Sequence, residues 1–241
     1  MNKFIFDVDG TLTPSRGKID KEFKEYFLSF CLDNEVYLVT GSDRAKTVEQ
    51  IGEDVVNKCK RVYNCSGSDV WEKDVNVQTS EWTVPADLHK LFDGWLQSSK
   101  FPLRTGTHVE QRPGMANFSI VGRGATQDQR QEYVAWDTAN RERETIAFII
   151  NNEFDNITAT IGGETGIDIA PIGADKSQIL KDFKKTDHIK FFGDAIFEGG
   201  NDWPLALALT TRNANYNWYK VKDWRDTWER LSYLQEAKLA G

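Results

Sequence analysis

The segment Phe4–Val8 is short and almost entirely apolar, and it runs directly into Asp9 and Gly10. A run of this length that ends in acids and a glycine is typical of a buried strand entering a loop. The residues that follow alternate between helical and extended patterns, and that alternation leaves few folds open to the chain.

Apolar residues recur at helical spacing after Asp20, which predicts a helix with one buried side. The next apolar run, Val36–Val39, is typical of a second strand. Asp43 can cap a second helix that reaches about Cys59, and Arg61–Asn64 is a candidate third strand. This order predicts an α/β fold with a parallel sheet and helices on both of its faces.

The middle of the chain has a different pattern, in which helices alternate with hairpins. Pro85 can open a helix, and Pro113-Gly114 has the composition of a hairpin turn. The predicted elements are Pro85–Gln97, Thr107–Arg112, Ala116–Val121, a helix from Gln127, Glu142–Phe154, Asn156–Ile161 and Thr165–Ile169. This α+β plan predicts a domain at 81–172 that is inserted into a core domain made of 1–80 and 173–241.

The first pattern resumes after the insertion. We expect a short helix over Ser177–Lys184 and a strand over His188–Phe192. A loop over Gly199–Asp202 should lead into another helix, and Asp223–Lys238 should close the chain as a last helix.

Charge and cysteine content narrow the classes of partner. The 30 basic and 37 acidic residues leave a formal charge of −7, which disfavours nucleic acid or an anionic membrane surface. The apolar runs are far too short to cross a bilayer, and Asp7 interrupts any signal-peptide core. The 3 cysteines have no metal-type spacing and predict reduced thiols in a cytoplasmic protein.

Polar side chains stand where the strands and loops of the predicted core meet. Ligands of an open α/β sheet bind beyond the carboxyl ends of its strands. The positions concerned are Asp7, Asp9, Thr40, Ser42, Lys176 and Asp194. Carboxylates that converge without partners resist ionisation, and a hard divalent cation such as Mg²⁺ removes that penalty. The predicted magnesium ligands are Asp7, Asp9, Asp194 and Asp202.

Such a site suits covalent phosphoryl transfer. A carboxylate can attack phosphorus and form an aspartyl-phosphate, which divides one difficult step into two easier ones. We predict that Asp7 is the nucleophile and that Asp9 serves as the acid and the base. The phosphoryl oxygens should be bound by Thr40, Ser42 and Lys176.

Each of these signals alone has an ordinary explanation. The segment Asp7–Gly10 also suits a turn or a calcium-binding loop, although Lys18 stands where an EF-hand loop needs its glutamate. A lone Lys176 is typical of a solvated surface charge. The order of all the groups along the predicted core is what favours phosphoryl chemistry.

These residues resemble the four motifs of the haloacid dehalogenase superfamily. The matching segments are Asp7–Thr11, the Thr40/Ser42 loop, Lys176, and Gly193-Asp194 with Gly200–Asp202. Within that superfamily the chain is more similar to the eukaryotic-type phosphomannomutases, and the resemblance covers most of its length. It is carried by Asp7–Arg16, Gly41–Asp43, Arg112–Met115, Val121–Arg123, Gly162–Lys176 and Phe191–Asp202.

The resemblance implies a Mg²⁺-dependent enzyme with a Rossmann-like core and an α+β cap that closes over a sugar phosphate. The arginines that match phosphate-binding arginines of that family are Arg112, Arg123 and Arg130 in the cap and Arg16 in the core. Asp168 matches a carboxylate that binds sugar hydroxyls. The resemblance also implies a sugar bisphosphate activator, of the glucose 1,6-bisphosphate type, and a homodimer formed through the cap.

Three hypotheses about function follow. The first is a phosphomannomutase-like enzyme that interconverts hexose 1-phosphate and hexose 6-phosphate. The second is a sugar phosphatase with the same residues and water as the acceptor. It is favoured by departures from the family's pattern at Thr40, Gly166, Ala170 and Ala174; Gly166 replaces a usual serine. The third is a catalytically idle binding protein with contacts at Trp218 and Trp224, although buried helix packing explains those tryptophans better.

Overall fold

The computed structural model describes residues 2–15, 17–212 and 215–239. The chain divides into two compact units, one formed by Met1–Thr79 with Asp175–Gly241 and the other by Ser80–Ala174. We call the first the core unit and the second the cap unit. Within the described ranges, no helix combines the length and the apolar character needed to cross a membrane.

Strands and helices are numbered along the chain. The strands are β1 (Asn2–Phe6), β2 (Glu35–Val39), β3 (Arg61–Asn64), β4 (Asp69–Glu72), β5 (Val75–Thr79), β6 (Val109–Arg112), β7 (Met115–Phe118), β8 (Ile157–Gly162), β9 (Gly166–Pro171), β10 (His188–Gly193) and β11 (Tyr216–Lys220). The helices are α1 (Lys21–Asp33), α2 (Arg44–Ile51), α3 (Glu53–Lys58), α4 (Ala86–Ser98), α5 (Gln127–Asn140), α6 (Glu142–Glu153), α7 (Trp203–Arg212) and α8 (Trp224–Leu239). Two short 3-10 helices are Cys65–Gly67 and Lys176–Asp182.

The core unit is built on a sheet of order β11-β10-β1-β2-β3-β4-β5. Strands β11 to β3 are parallel, and β4 and β5 are antiparallel. Successive residues of β1 enter different apolar cores. Phe4 and Phe6 pack with residues of α1, α3 and α8, whereas Ile5 packs with residues of α7. Helices therefore cover both faces of the sheet, and the predicted α/β fold is confirmed.

Aspartates begin two of the helices as predicted. The side chain of Asp20 accepts hydrogen bonds at the start of α1, and that of Asp43 accepts one from the Lys46 N–H at the start of α2. The single helix expected from Asp43 to Cys59 is wrong. Gly52 has a φ of +86°, which ends α2 and begins α3.

Both edges of the core sheet differ from the sequence-based expectation. The hairpin β4-β5 and the strand β11, which the sequence did not predict, extend the sheet at its two edges. Away from these edges, the helix predicted over Ser177–Lys184 is the 3-10 helix Lys176–Asp182. Trp218 lies on the edge strand β11 and is 42% exposed, so helix packing does not explain it. Trp224 does pack as predicted, since it is buried in α8 and stacks on Phe23.

The cap unit has the expected order of helix, hairpin, helices and hairpin. Its antiparallel sheet has the order β6-β7-β9-β8, and one face forms an apolar core with residues of α4, α5 and α6. The other face is polar, because the register pairs Glu110 with Asn117, Asn117 with Asp168, and Asp168 with Thr160. Paired residues of neighbouring strands share a face, so these four side chains form one polar row.

Candidate active site

A buried ammonium joins two carboxylates at the end of β1. Lys176 is 1% exposed, and its Nζ lies 2.6 Å from Asp7 Oδ1 and 2.7 Å from Asp202 Oδ1. Asp7 directly follows β1, and its backbone N–H donates to the Phe192 carbonyl of β10 at 2.9 Å. The sheet therefore fixes the backbone of Asp7, while the ammonium fixes its side chain.

Asp194 completes a cluster of three carboxylates. One oxygen from each of Asp7, Asp194 and Asp202 lies within 4.8 Å of the other two. Asp202 also accepts a hydrogen bond from the Ala195 N–H at 3.0 Å. We call Asp7, Asp194 and Asp202 the carboxylate cluster.

Two glycines let these carboxylates approach the backbone. A Cβ at Gly10 would lie 2.4 Å from Asp194 Oδ2, and a Cβ at Gly193 would lie 2.4 Å from Asp202 Oδ2. Gly10 also has a φ of +76°, a backbone conformation that residues with a side chain rarely adopt. Close packing against these carboxylates therefore explains why glycine occupies both positions.

Burial and charge act against each other in the cluster. Burial raises the pKa of Asp7 to about 7, although the ammonium of Lys176 opposes this rise. Burial and the charge of Asp202 also raise the pKa of Asp194. Burial alone would lower the pKa of Lys176, but the carboxylates of Asp7 and Asp202 outweigh it and raise that pKa. A single ammonium among three carboxylates leaves surplus negative charge in a buried place.

The carboxylate cluster fits a hard divalent cation. Its donors are oxygen atoms that converge, and their surplus negative charge is what such an ion neutralises. Carboxylate oxygens favour Mg²⁺, whereas zinc prefers sites with histidine or cysteine. The residues that would hold the ion are Asp7, Asp194 and Asp202.

Asp9 faces a different set of partners. Its Oδ1 accepts a hydrogen bond from Gln50 Nε2 at 2.7 Å, and its Oδ2 lies 3.4 Å from Ser42 Oγ, which donates to it. The backbone N–H of Ser42 donates to Thr40 Oγ1 at 3.1 Å. The structure thus brings Asp9, Thr40 and Ser42 together as the sequence predicts, but the carboxylate cluster does not include the predicted ligand Asp9.

Gln50 is a residue of the site that the sequence motifs did not reveal. It lies on α2 and is 1% exposed, on the same buried side of the helix as Thr47 and Ile51. The sequence contained only a weak signal for it: Gln50 lies three positions after Thr47 and one before Ile51, and so falls on the same side of the helix. Its significance depends on Asp9, which lies 41 positions earlier in the chain.

Two arginines of the cap unit share one carboxylate. Arg112 Nε donates to Glu110 Oε1 at 2.8 Å, and Arg123 pairs with Glu110 Oε2. Arg130 instead donates from Nε to the Ala125 carbonyl at 3.3 Å. The predicted phosphate-binding residues Arg112 and Arg123 therefore meet on Glu110, a residue that the sequence motifs did not single out.

Asp168 lies beside Asn117 on the polar face of the cap sheet. Asn117 Nδ2 donates to Asp168 Oδ1 at 2.6 Å. A Cβ at Gly166 would lie 2.5 Å from the Asn117 amide, and one at Gly162 would lie 2.4 Å from the Asp168 carboxyl group. The two side chains therefore occupy the space that two glycines leave. Arg16, the remaining predicted contact, lies outside the described residues.

A family model described as eukaryotic phosphomannomutase matches residues 23–234. The chain belongs to the eukaryotic phosphomannomutase family. Its members include the phosphomannomutase of Spinacia oleracea, which is 32% identical over 215 residues, or 86% of this chain and 87% of that protein. The family that the sequence motifs predict is therefore confirmed.

Solved structures place this phosphomannomutase-family chain among haloacid dehalogenase-like folds. Trehalose-6-phosphate phosphatase of Aspergillus fumigatus has a TM-score of 0.54 at 16% identity, covering 92% of this chain and 86% of that chain. A haloacid dehalogenase-like hydrolase of Bacteroides thetaiotaomicron has a TM-score of 0.51 at 9% identity, with coverages of 90% and 94%. At these identities the likeness concerns the fold alone.

Proposed function

We propose that this chain interconverts mannose 1-phosphate and mannose 6-phosphate through an aspartyl-phosphate formed on Asp7. The observation that carries the proposal is the ammonium of Lys176, buried between Asp7 and Asp202. A buried cation beside a carboxylate nucleophile supports phosphoryl transfer, because charge on the transferring group must be met inside the site. Membership of the phosphomannomutase family supports a sugar phosphate as the substrate.

The reaction uses Asp7 and Asp9 twice. An oxygen of Asp7 bonds to phosphorus while the bond from phosphorus to the leaving sugar oxygen breaks, and Asp9 gives that oxygen a proton. A sugar hydroxyl then bonds to the same phosphorus, the bond to Asp7 breaks, and Asp9 takes the hydroxyl proton. Lys176 and Ser42 orient the phosphoryl oxygens, and Thr40 holds Ser42. A Mg²⁺ ion on the carboxylate cluster would neutralise charge on the phosphoryl group.

We assign the cap unit to recognition of the rest of the substrate. Guanidinium groups suit phosphate because their paired N–H donors match its oxygens. Arg123 Nε is buried and, among the described groups, has no hydrogen-bond partner, which supports an anion at this place. The phosphate that is not transferred is assigned to Arg112, Arg123, Arg130 and Arg16, and the sugar hydroxyls to Asp168.

Phosphorus NMR tests the reaction directly. The protein should convert mannose 1-phosphate to mannose 6-phosphate when Mg²⁺ and glucose 1,6-bisphosphate are present, with glucose 1-phosphate as a comparison substrate. The bisphosphate is the proposed source of the first phosphoryl group on Asp7. Release of free phosphate without any 6-phosphate would contradict the mutase.

A sugar phosphatase is the second candidate function. It is favoured by Gly166, which has no side chain to offer a ligand, and whose side-chain space the Asn117 amide fills. Fewer contacts to the sugar phosphate would shorten the life of the bound intermediate and give water access to the aspartyl-phosphate. Steady release of inorganic phosphate from several hexose phosphates, independent of a bisphosphate, would favour this reading.

We also propose that the protein forms a homodimer through the cap unit and resides in the cytoplasm. Large apolar side chains of the cap unit are exposed at Phe148, Ile161 and Ile172, which supports a contact with another surface. The cysteines are buried thiols, which suits a reducing compartment. Light scattering at several protein concentrations measures the oligomeric state.

A further inference from the structure

Gln50 holds the carboxylate that the proposed reaction uses as acid and base. Its Nε2 lies 2.7 Å from Asp9 Oδ1, and the side chain is almost completely buried. We propose that Gln50 is a positioning residue that fixes Asp9 in the orientation needed for proton transfer. This inference rests on the proposed function, since it assumes the acid and base role of Asp9.

The hydrogen bonds determine which end of the Gln50 amide faces Asp9. The Gly17 carbonyl, 3.4 Å from Nε2, can only accept a hydrogen bond, and Asp9 Oδ1 also accepts one. The opposite amide orientation would set Oε1 against two acceptors. Gln50 therefore acts as a donor to Asp9.

Gln50 is itself held in place at both its side chain and its backbone. Its backbone carbonyl accepts a hydrogen bond from the Ile19 N–H at 2.8 Å. Its side-chain Nε2 also donates to the Gly17 carbonyl at 3.4 Å. Both contacts bond Gln50 to the loop before α1. A donor fixed in this way can fix Asp9 in turn.

The two oxygens of Asp9 have different surroundings, and this divides their tasks. Oδ1 receives the short hydrogen bond from buried Gln50, whereas Oδ2 receives the longer one from Ser42 at 3.4 Å. We assign proton exchange to Oδ2: the proton leaves Oδ2 for the sugar oxygen as the phosphorus–oxygen bond breaks. It returns to Oδ2 from the entering hydroxyl in the second step. Loss of the Gln50 donor would let the carboxylate rotate away from this geometry.

The matched variants are Gln50→Met and Thr47→Val. Methionine fills a similar volume without a donor, and valine removes a buried hydrogen bond of the same helix that does not involve Asp9. We expect Gln50→Met to lower kcat for the sugar phosphate by about 10- to 100-fold, because small misplacements of a reacting group have effects of that order. KM should stay within about twofold, and Thr47→Val should retain kcat within about threefold.

The leaving group separates positioning of Asp9 from a general disturbance of the fold. An aryl phosphate with a good leaving group needs no proton when its bond to phosphorus breaks. A single-turnover burst of p-nitrophenolate should therefore be nearly as fast in Gln50→Met as in the parent. Equal losses on the aryl and sugar phosphates, or an equal loss in Thr47→Val, would overturn the proposal. A parent protein without turnover would contradict the proposed function instead.

A second measurement does not depend on activity. The side-chain amide signal of Gln50 in a nitrogen-15 NMR spectrum, assigned by its absence in Gln50→Glu, should exchange slowly with solvent. Asp9→Asn removes the charge that this amide faces and should shift the signal, whereas Thr47→Val should shift it much less. A Gln50 signal that exchanges rapidly or is unaffected by Asp9→Asn would overturn the proposal even if Gln50→Met fails to fold.

Discussion

The core unit surrounds one positive charge with negative charges, whereas the cap unit places one negative charge between two positive charges. In the core, one ammonium lies among three carboxylates, and the side chain of Lys176 has no exposed surface. In the cap, one carboxylate lies between two guanidinium groups, and the side chains of Arg112 and Arg123 are 29% and 33% exposed. Charges interact strongly where water is excluded and weakly where it is present. The core arrangement therefore suits chemistry, and the cap arrangement suits recognition.

This difference in the exposure of the charged side chains also predicts how each unit responds to substitution. A buried charge that loses its partner is strongly destabilising, whereas a partly exposed charge has water as a substitute. Changes in the core should affect folding, metal binding and turnover together. Changes in the cap should affect mainly the affinity for substrate.

The largest effect is expected from Lys176→Met. The variant leaves Asp7 and Asp202 buried without their ammonium, which should destabilise the metal-free protein by about 3–5 kcal/mol and reduce turnover to background. Thermal unfolding and mutase assays measure both. Lys181→Met, an exposed change in the same 3-10 helix, is the control and should alter neither. Retained turnover in Lys176→Met would break the contrast between the two units.

Arg123→Lys should have a smaller effect of another kind. Lysine keeps the charge but offers no planar pair of donors, so KM for the sugar phosphate should rise by about tenfold while kcat and stability change little. Arg141→Lys, whose side chain is 74% exposed and pairs with Glu144, is the matched control. A loss in kcat with unchanged KM would assign Arg123 to the chemistry instead.

The contrast between the units was only partly predictable from sequence. Motifs of short range revealed the acids of the core because Asp7, Asp9 and Asp194 follow or flank apolar strands. Strand β11 and hairpin β4-β5 were not predicted. Val75 and Val77 of β5 do alternate with polar residues, but the strand has only five residues and all of them are exposed.

The missed residues of the site share one physical property. Gln50, Glu110 and Asn117 matter through partners on other elements: Asp9, Arg123 and Asp168. Local patterns contain no information on such contacts. Lys176 is the instructive exception: its burial could not be predicted from its neighbours, yet its place in the order of the polar groups along the predicted core indicated a role.

Mg²⁺ should stabilise the protein more at pH 8 than at pH 5. Burial raises the pKa of Asp7 from 3.8 to about 7, so the folded protein binds a proton there more tightly than the unfolded chain does. That contribution to stability is present below pH 4 and is lost as the pH rises through 7. A divalent cation held by the carboxylate cluster would neutralise the charge of Asp7 in place of the proton. Thermal shifts with and without Mg²⁺ measure the difference.

The control for this pH dependence uses two carboxylates. Asp202→Asn removes a member of the carboxylate cluster and should flatten the effect of Mg²⁺, whereas Asp87→Asn, whose side chain is 81% exposed, should preserve it. A Mg²⁺ shift of equal size at pH 5 and pH 8 in the parent would show that the ion does not compete with protons at the cluster.

Gly166→Ser should affect stability more than turnover, and it tests how tightly the cap face is packed. The new Cβ would lie 2.5 Å from the Asn117 amide, so Asn117 must move and its hydrogen bond to Asp168 must lengthen or break. Such overpacking costs typically about 1–3 kcal/mol. Gly94→Ser is the control, because a Cβ there meets nothing within 4 Å and helix α4 should tolerate it. If Gly166→Ser is as stable as the parent and raises the ratio of mutase to phosphatase activity, the cap face adapts to its ligand. The rigid packing of the core would then have no counterpart in the cap unit.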